Sequence, residues 1–462
     1  MMSLSEAAAV VGGELHGNGG SFNSVSIDSR TLSSGGLFVA IPGKAHDGHD
    51  FVERSAESGA AGAMVANLQS LPIPQIKVAD TTQSLGMLAR NWRERFNIPV
   101  LAITGSNGKT TVTRMTASIL AEIGACLSPE KSFNNQWGVP LTLLGLNHSH
   151  QFAVIEMGTN GPGEIDYLSR LTRPTIALIN NVSAAHVEGL GDVRKISEAK
   201  SEIFSGMGKR GTAIINLDDP FHDEWQSHFK NCVPDGEILT FGSAKEAMIR
   251  SESPNPDWQQ SEFDLVIDRQ AVHVVLPLPG IHNIHNATAS AALAYAAGAD
   301  TESIRKGLEN TSGAPGRLRR ARGIRGCELL DDSYNANPRS TMAAIDVLAG
   351  YPGKKILVLG EMAELGQAGP EYHREVGAYA RQKHLDRFYC LGQQTSELSA
   401  SYVEGFGNGA VHASDADILI DELICRIDAD TAVLVKGSRS SGMENIVAGI
   451  AGHAEASEDA SC

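Results

Sequence analysis

Pro99-Val-Leu-Ala-Ile-Thr-Gly-Ser-Asn-Gly-Lys-Thr-Thr111 carries the strongest structural signal in the chain. Its first half, Pro99 to Thr104, is an apolar, β-rich run. Gly105-Ser-Asn-Gly108 is a turn of small residues, and a helical pattern follows to Ile123. Strand, Gly-rich turn and helix in that order form half of a βαβ unit. Small residues let backbone N–H groups approach phosphate oxygens, and the helix N-terminus adds its dipole. Gly105, Ser106, Asn107, Gly108, Lys109, Thr110 and Thr111 are therefore expected to bind the phosphates of a nucleotide. Lys109 would reach the β- and γ-phosphates, and the Thr110 hydroxyl would meet Mg²⁺. The common form of such loops has Gly five residues before the Gly-Lys pair, where this chain has Ile103, so the loop is a shorter variant.

Further buried strands are expected at 152–156, 175–180 and 213–216, with helices between them, as a parallel sheet requires. Glu156 ends the apolar run Phe-Ala-Val-Ile-Glu. A carboxylate at the C-terminal end of such a strand faces the ligand crevice and suits a second Mg²⁺. His186 follows another strand. Lys200 lies in Ile196-Ser-Glu-Ala-Lys-Ser-Glu-Ile-Phe204, an amphipathic helical pattern. Taken singly, His186 reads more readily as structural and Lys200 as a solvated helix residue.

At 462 residues the chain has room for about three domains, and its 42% hydrophobic and 20% charged residues are those of a globular protein. Three α/β blocks are expected: 1–82, 83–313 and 314–462. The first has short strand-like pieces, with helical signal confined to 50–61. The third alternates strand and helix as a second, smaller doubly wound unit. A net charge of -16 argues against nucleic acid as a partner. The six cysteines show no CxxC or zinc spacing and read as reduced thiols. No signal-peptide pattern opens the chain, and residues 287–299 are too short an apolar stretch to cross a bilayer, so a cytoplasmic protein without membrane insertion is expected.

Together these residues resemble the ATP-dependent Mur ligase family, which extends the UDP-muramoyl peptide of peptidoglycan. Thr104-Gly-Ser-Asn-Gly-Lys-Thr-Thr111 is similar to that family's phosphate loop. The resemblance gives Lys200 a meaning it lacks alone, as the lysine that these ligases carbamylate. It implies that Glu156, His186 and carbamylated Lys200 hold the second Mg²⁺. Pro279-Gly-Ile-His-Asn-Ile-His-Asn286 looks like a nucleotide motif, implying that Asn283 and Asn286 face adenine. Gly316-Arg317-Leu318 and Asp331-Asp332 resemble hinge contacts, implying that Arg317 and Asp332 hold ribose or phosphate on closure.

Asp331-Asp-Ser-Tyr-Asn-Ala-Asn-Pro338 is similar to the branch that adds D-alanyl-D-alanine, as is Phe133-Asn-Asn-Gln-Trp-Gly-Val-Pro-Leu-Thr142. The branch implies acceptor contacts at Asn134, Asn135, Asn335 and Asn337. Leu359-Gly-Glu-Met-Ala-Glu-Leu-Gly366 and Val435-Lys-Gly-Ser-Arg439 agree with it. Ile27-Asp-Ser-Arg30 and Leu37-Phe-Val-Ala-Ile-Pro-Gly43 look like the family's uridine domain, implying substrate contacts at Ser29, Arg30 and Lys44. Two places depart from the branch: Gly161 where His is usual, and Gln136-Trp137 where an acidic residue and Ile are commoner. The resemblance implies an ADP-forming ligase acting on UDP-N-acetylmuramoyl-tripeptide and D-alanyl-D-alanine, and a monomer is the default expectation. A sister ligase adding a diamino acid to the UDP-dipeptide, a folylpolyglutamate synthetase-like ligase and a non-catalytic scaffold are the alternatives.

Overall fold

The computed structural model describes residues 1–43, 46–129, 132–183, 191–393 and 396–451. Among the described residues, three larger sheets organise three α/β domains, and a two-stranded one pairs Met2–Ser3 with Ser21–Phe22. The first has the order Glu14–His16, Gln75–Lys77, Gly62–Val65, Leu37–Val39, Val25–Ser26, antiparallel at its first pair and parallel beyond. The third has the order Arg319–Arg322, Glu328–Asp332, Thr431–Lys436, Lys354–Gly360, Arg387–Leu391, Ala410–Ala413. Only its Arg319–Arg322 edge is antiparallel.

Among the described residues the central sheet has nine strands. Val100–Thr104 lies between Phe152–Glu156 and Ile176–Ile179, parallel to both, and all three are fully buried. Burial on both faces explains their continuous apolar sequences. Thr212–Asn216 and Glu237–Gly242 extend the parallel part. Beyond Ile249 the sheet is no longer parallel, which the sequence did not announce. Ile249–Pro256, Ser261–Ile267 and Gln270–Leu276 form an antiparallel extension. Its last turn, Asp268-Arg269, has φ of 44° and 69°, so two non-glycine residues occupy the left-handed region that a two-residue hairpin demands. Its other turn carries Trp258 to the third domain, where the indole meets Tyr351 edge-on at 4.8 Å and Arg320 stacks on it at 4.6 Å.

The first block also contains the helix Leu4–Val11, which was not expected there. Ser3 caps it by accepting from the Glu6 N–H at 3.1 Å. One core runs from that helix through Leu85, Leu88 and Ala89 of helix Thr81–Arg93 to Val139 and Ile155. The first and central domains therefore share apolar packing. Among the described residues, no helix is long and apolar enough to cross a membrane, and the five cysteines are free thiols.

Helix Lys109–Ala121 after the phosphate loop is held from outside by helix Thr301–Glu309. The Ser118 hydroxyl donates to the Gly307 carbonyl at 2.7 Å, and a Cβ on Gly307 would lie 2.3 Å from Ile119 Cα. Gly307→Ala must push the two helices apart. It is expected to cost about 1–3 kcal/mol, read as a lower urea midpoint of unfolding. A midpoint equal to the wild type would contradict this packing.

Candidate active site

The C-terminal ends of the central strands open into a cavity of about 760 Å³, closed on its far side by the third domain. The phosphate loop lies at its floor. Gly108 has φ of 79° and precedes the first turn of helix Lys109–Ala121. A Cβ there would sit 2.3 Å from Asn286 Oδ1 and 2.6 Å from Asn180 Nδ2, so only glycine fits. Asparagines shape the loop from below. Asn180 Nδ2 donates to the Asn107 carbonyl at 2.9 Å and to Asn286 Oδ1 at 3.1 Å. Asn181 Oδ1 accepts from the Asn107 N–H at 2.9 Å, and the Asn181 carbonyl accepts from the Ser106 N–H at 2.8 Å. Thr111 and Asn283 also line the cavity, and Asn283 Nδ2 donates to the Pro279 carbonyl at 2.8 Å.

Glu156 is 1% exposed, and both its oxygens are engaged. Thr110 Oγ1 donates to Oε2 at 2.8 Å, and Asn134 Nδ2 donates to Oε1 at 2.7 Å. Lys109 Nζ donates to the Gly105 carbonyl at 2.8 Å. Loss of solvent lowers its pKa, Glu156 opposes that, and Arg317 adds to it. Lys200 is 2% exposed and also lines the cavity. Burial, then the nearby Lys109, lowers its pKa well below the ordinary amine value. Among the described residues, no carboxylate lies within ion-pair distance of it. The expected ligand His186 lies outside the described residues, which contain no group of three or more His, Cys, Asp or Glu able to hold a metal.

The third domain forms the opposite wall. Arg317 stacks on Tyr334 at 4.2 Å and faces the cavity. Asp332 Oδ2 pairs with Lys436 Nζ at 2.6 Å, and its Oδ1 accepts from the Leu318 N–H at 3.0 Å. Burial raises the Asp332 pKa against the pull of Lys436, and lowers that of Lys436 against the pull of Asp332. The short contact and the extra Leu318 N–H hold the pair ionised. Asn337 Nδ2 reaches across the domains to Asn107 Oδ1 at 2.6 Å, while its own Oδ1 caps helix Pro338–Ala349 through the Ser340 N–H at 2.9 Å.

Residues 21–93 match the Mur ligase catalytic domain, 103–294 the Mur ligase middle domain, and 316–439 the Mur ligase glutamate ligase domain. The chain is 40% identical to the UDP-N-acetylmuramoyl-tripeptide--D-alanyl-D-alanine ligase of Escherichia coli K12, over 96% of this chain and 97% of that one. The chain belongs to the Mur ligase family. MurF from Acinetobacter baumannii superposes with a TM-score of 0.88 at 33% identity, covering 97% of this chain and 98% of that one. MurF from Thermotoga maritima in complex with ADP gives 0.78 at 25% identity, over 92% and 96%.

In this Mur ligase the remaining expected site residues are spread more widely. Asn135 faces the cavity, but its Oδ1 accepts from the N–H groups of Trp137 and Gly138 and so starts a helix. Asn335 faces the cavity, and its carbonyl accepts from Lys436 at 2.8 Å. Ser29 is buried and Arg30 pairs with Asp28 at 2.7 Å, both in the first domain and outside this cavity's lining. Lys44 lies outside the described residues. Sequence reasoning missed Asn180, Asn181 and Lys436. Asn180 and Asn181 are the first two residues after a buried parallel strand and Lys436 ends another, the position that faces a ligand crevice. It also missed His282, whose buried Nδ1 has no partner among the described residues. Burial, then Lys436 and His285, pushes His282 down to about 4.

Lys436→Met should leave Asp332 buried and unpaired. Loss of one partner from such a pair costs about 3–5 kcal/mol, so the third domain's thermal transition should fall. Adding Asp332→Asn should recover much of that loss. Equal transitions for wild type and the single variant would contradict the burial of the pair.

Proposed function

We propose that this chain is the ATP-dependent ligase that joins D-alanyl-D-alanine to UDP-N-acetylmuramoyl-tripeptide, releasing ADP and phosphate. The observation that carries it is the meeting of Asn337 and Asn107 at 2.6 Å. It sets the segment Asp331-Asp-Ser-Tyr-Asn-Ala-Asn-Pro338, which resembles the dipeptide-adding branch, directly on the phosphate loop. The name of the 40%-identical relative points to the same acceptor. The sister reading, addition of a diamino acid to the dipeptide, lacks both supports.

A free carboxylate is a poor acyl donor because oxide is a poor leaving group. In the reaction the terminal carboxylate of the tripeptide attacks the γ-phosphorus of ATP, and ADP departs. The dipeptide amine then attacks the acyl carbon, and phosphate departs with the oxygen that was the carboxylate's. Lys109 neutralises charge on the phosphates while the loop N–H groups orient them. Asn283 and Asn286 border the adenine, and Arg317 and Asp332 hold the ribose or phosphate side. Closure of the third domain keeps water from the acyl phosphate.

The donor set near Glu156 suits Mg²⁺. A carboxylate and a hydroxyl, 2.8 Å apart, are the hard oxygen ligands that this ion takes. Thr110 would hold one ion, and Glu156, His186 and Lys200 a second. As an ammonium Lys200 could not ligate. Its buried amine, pushed toward the neutral form, is the one that reacts with carbon dioxide to give an anionic carbamate. Bound there, Mg²⁺ supplies charge neutralisation between two anions that must meet.

Residues 1–82 are assigned to the uridine end of the substrate, with Ser29, Arg30 and Lys44 as contacts. Residues 83–313 take ATP. Residues 314–462 close over it and receive the dipeptide beside Asn335 and Asn337, with Asn134 and Asn135 on the acceptor side. Every residue named comes from one chain, which is assigned as a cytoplasmic monomer.

Phosphate release should require both UDP-tripeptide and D-alanyl-D-alanine. Release with UDP-dipeptide and a diamino acid instead would move the chain to the sister activity. Lys109→Ala should lower turnover by about a hundredfold or more with an unchanged melting temperature. Lys200→Ala should be nearly inactive and partly restored by short-chain carboxylates. Full activity of Lys200→Ala would exclude the carbamate.

A further inference from the structure

A hydrogen-bonded path leaves the first domain and ends at Glu156. The Thr81 hydroxyl donates to the Ala40 carbonyl at 2.8 Å, tying helix Thr81–Arg93 to the end of strand Leu37–Val39. The next residue, Thr82, accepts at Oγ1 from Trp137 Nε1 at 3.1 Å. Asn135 Oδ1 holds the Trp137 and Gly138 N–H groups at 3.1 and 2.9 Å. Its neighbour Asn134 donates to Glu156 Oε1 at 2.7 Å and accepts at its carbonyl from the Gly158 N–H at 2.8 Å.

The segment has little slack. A Cβ on Gly138 would lie 2.6 Å from the Phe133 backbone, and one on Gly158 would lie 2.9 Å from the Asn134 side chain. Trp137 is half-buried against the core that the first and central domains share. A shift of Asn134 would leave a buried carboxylate oxygen without its donor, which is costly. A displacement at Trp137 therefore reaches Glu156.

We propose that Trp137 is a positioning residue: through Thr82 and Asn134 it makes the placement of the first domain set the orientation of Glu156. The proposal rests on the assignment of the UDP-linked tripeptide to the first domain. It adds a role for a residue at which this chain departs from the branch it resembles.

Trp137→Phe removes the indole N–H and keeps a ring, and Thr82→Val removes its acceptor and keeps the shape. Phosphate release is measured at saturating ATP and dipeptide while UDP-tripeptide is varied. Affinity for a non-hydrolysable ATP analogue and the melting temperature are measured alongside. Each single variant should lose kcat by roughly three- to tenfold, with nucleotide affinity unchanged. The double variant should lose no more than either single one, because both remove the same bond. A lowered melting temperature with unchanged kcat would overturn the proposal, as would a raised KM for UDP-tripeptide alone, or losses that add in the double variant. Failure of the functional reading is separate, since it would appear in the wild type as release that does not need both substrates.

Discussion

Two amines withdrawn from bulk water, the part-buried Lys109 and the buried Lys200, line one cavity with the carboxylate of Glu156. Everything else in the site depends on that charge arrangement. Burial lowers the pKa of both amines, and Lys109 depresses Lys200 further. A cation in a water-poor site attracts an anion strongly, because less solvent screens it. In the proposed reaction the triphosphate answers Lys109. A carbamate would answer Lys200 from within, by turning an amine that burial disfavours as a cation into a ligand that a metal needs. Glu156 can serve this cluster only if it stays in place, and Thr110 and Asn134 hold one oxygen each.

Asparagine is the material from which the phosphate loop is built. Asn180, Asn181 and Asn286 lie beneath it, and Asn337 reaches it from the third domain. An amide both donates and accepts without charge, so these residues fix the loop and leave the site's field to the two lysines and Glu156. The third domain brings Arg317 to the cavity and anchors Asp332 on Lys436. In the proposed function that wall would bring groups for the nucleotide and for the acceptor together.

The phosphate loop was legible because its physics is local: an apolar strand, small residues and a helix start occur in sequence order. Glu156 was legible for the same reason, as the end of a buried strand. The antiparallel extension beyond Ile249 was not. A two-residue hairpin normally announces itself through glycine or asparagine, and here Asp268-Arg269 makes the turn with both φ positive. Helix Leu4–Val11 is short, and only the Ser3 and Glu6 pairing marks it. Lys436 gave no separate signal, because a lysine closing an apolar strand has meaning only when Asp332 is seen beside it. Asn135 illustrates the converse, since a residue expected to touch substrate also spends its side-chain oxygen on the turn into helix Gly138–Leu144.

In the proposed reaction the tripeptide carboxylate takes the γ-phosphoryl group before the amine attacks. Its most direct test uses UDP-N-acetylmuramoyl-tripeptide carrying ¹⁸O in both oxygens of the terminal carboxylate. After complete turnover with ATP and D-alanyl-D-alanine, the released phosphate is analysed by mass. One ¹⁸O atom in each phosphate is the result that an acyl phosphate predicts. Phosphate free of label, with both labelled oxygens accounted for elsewhere, would contradict it.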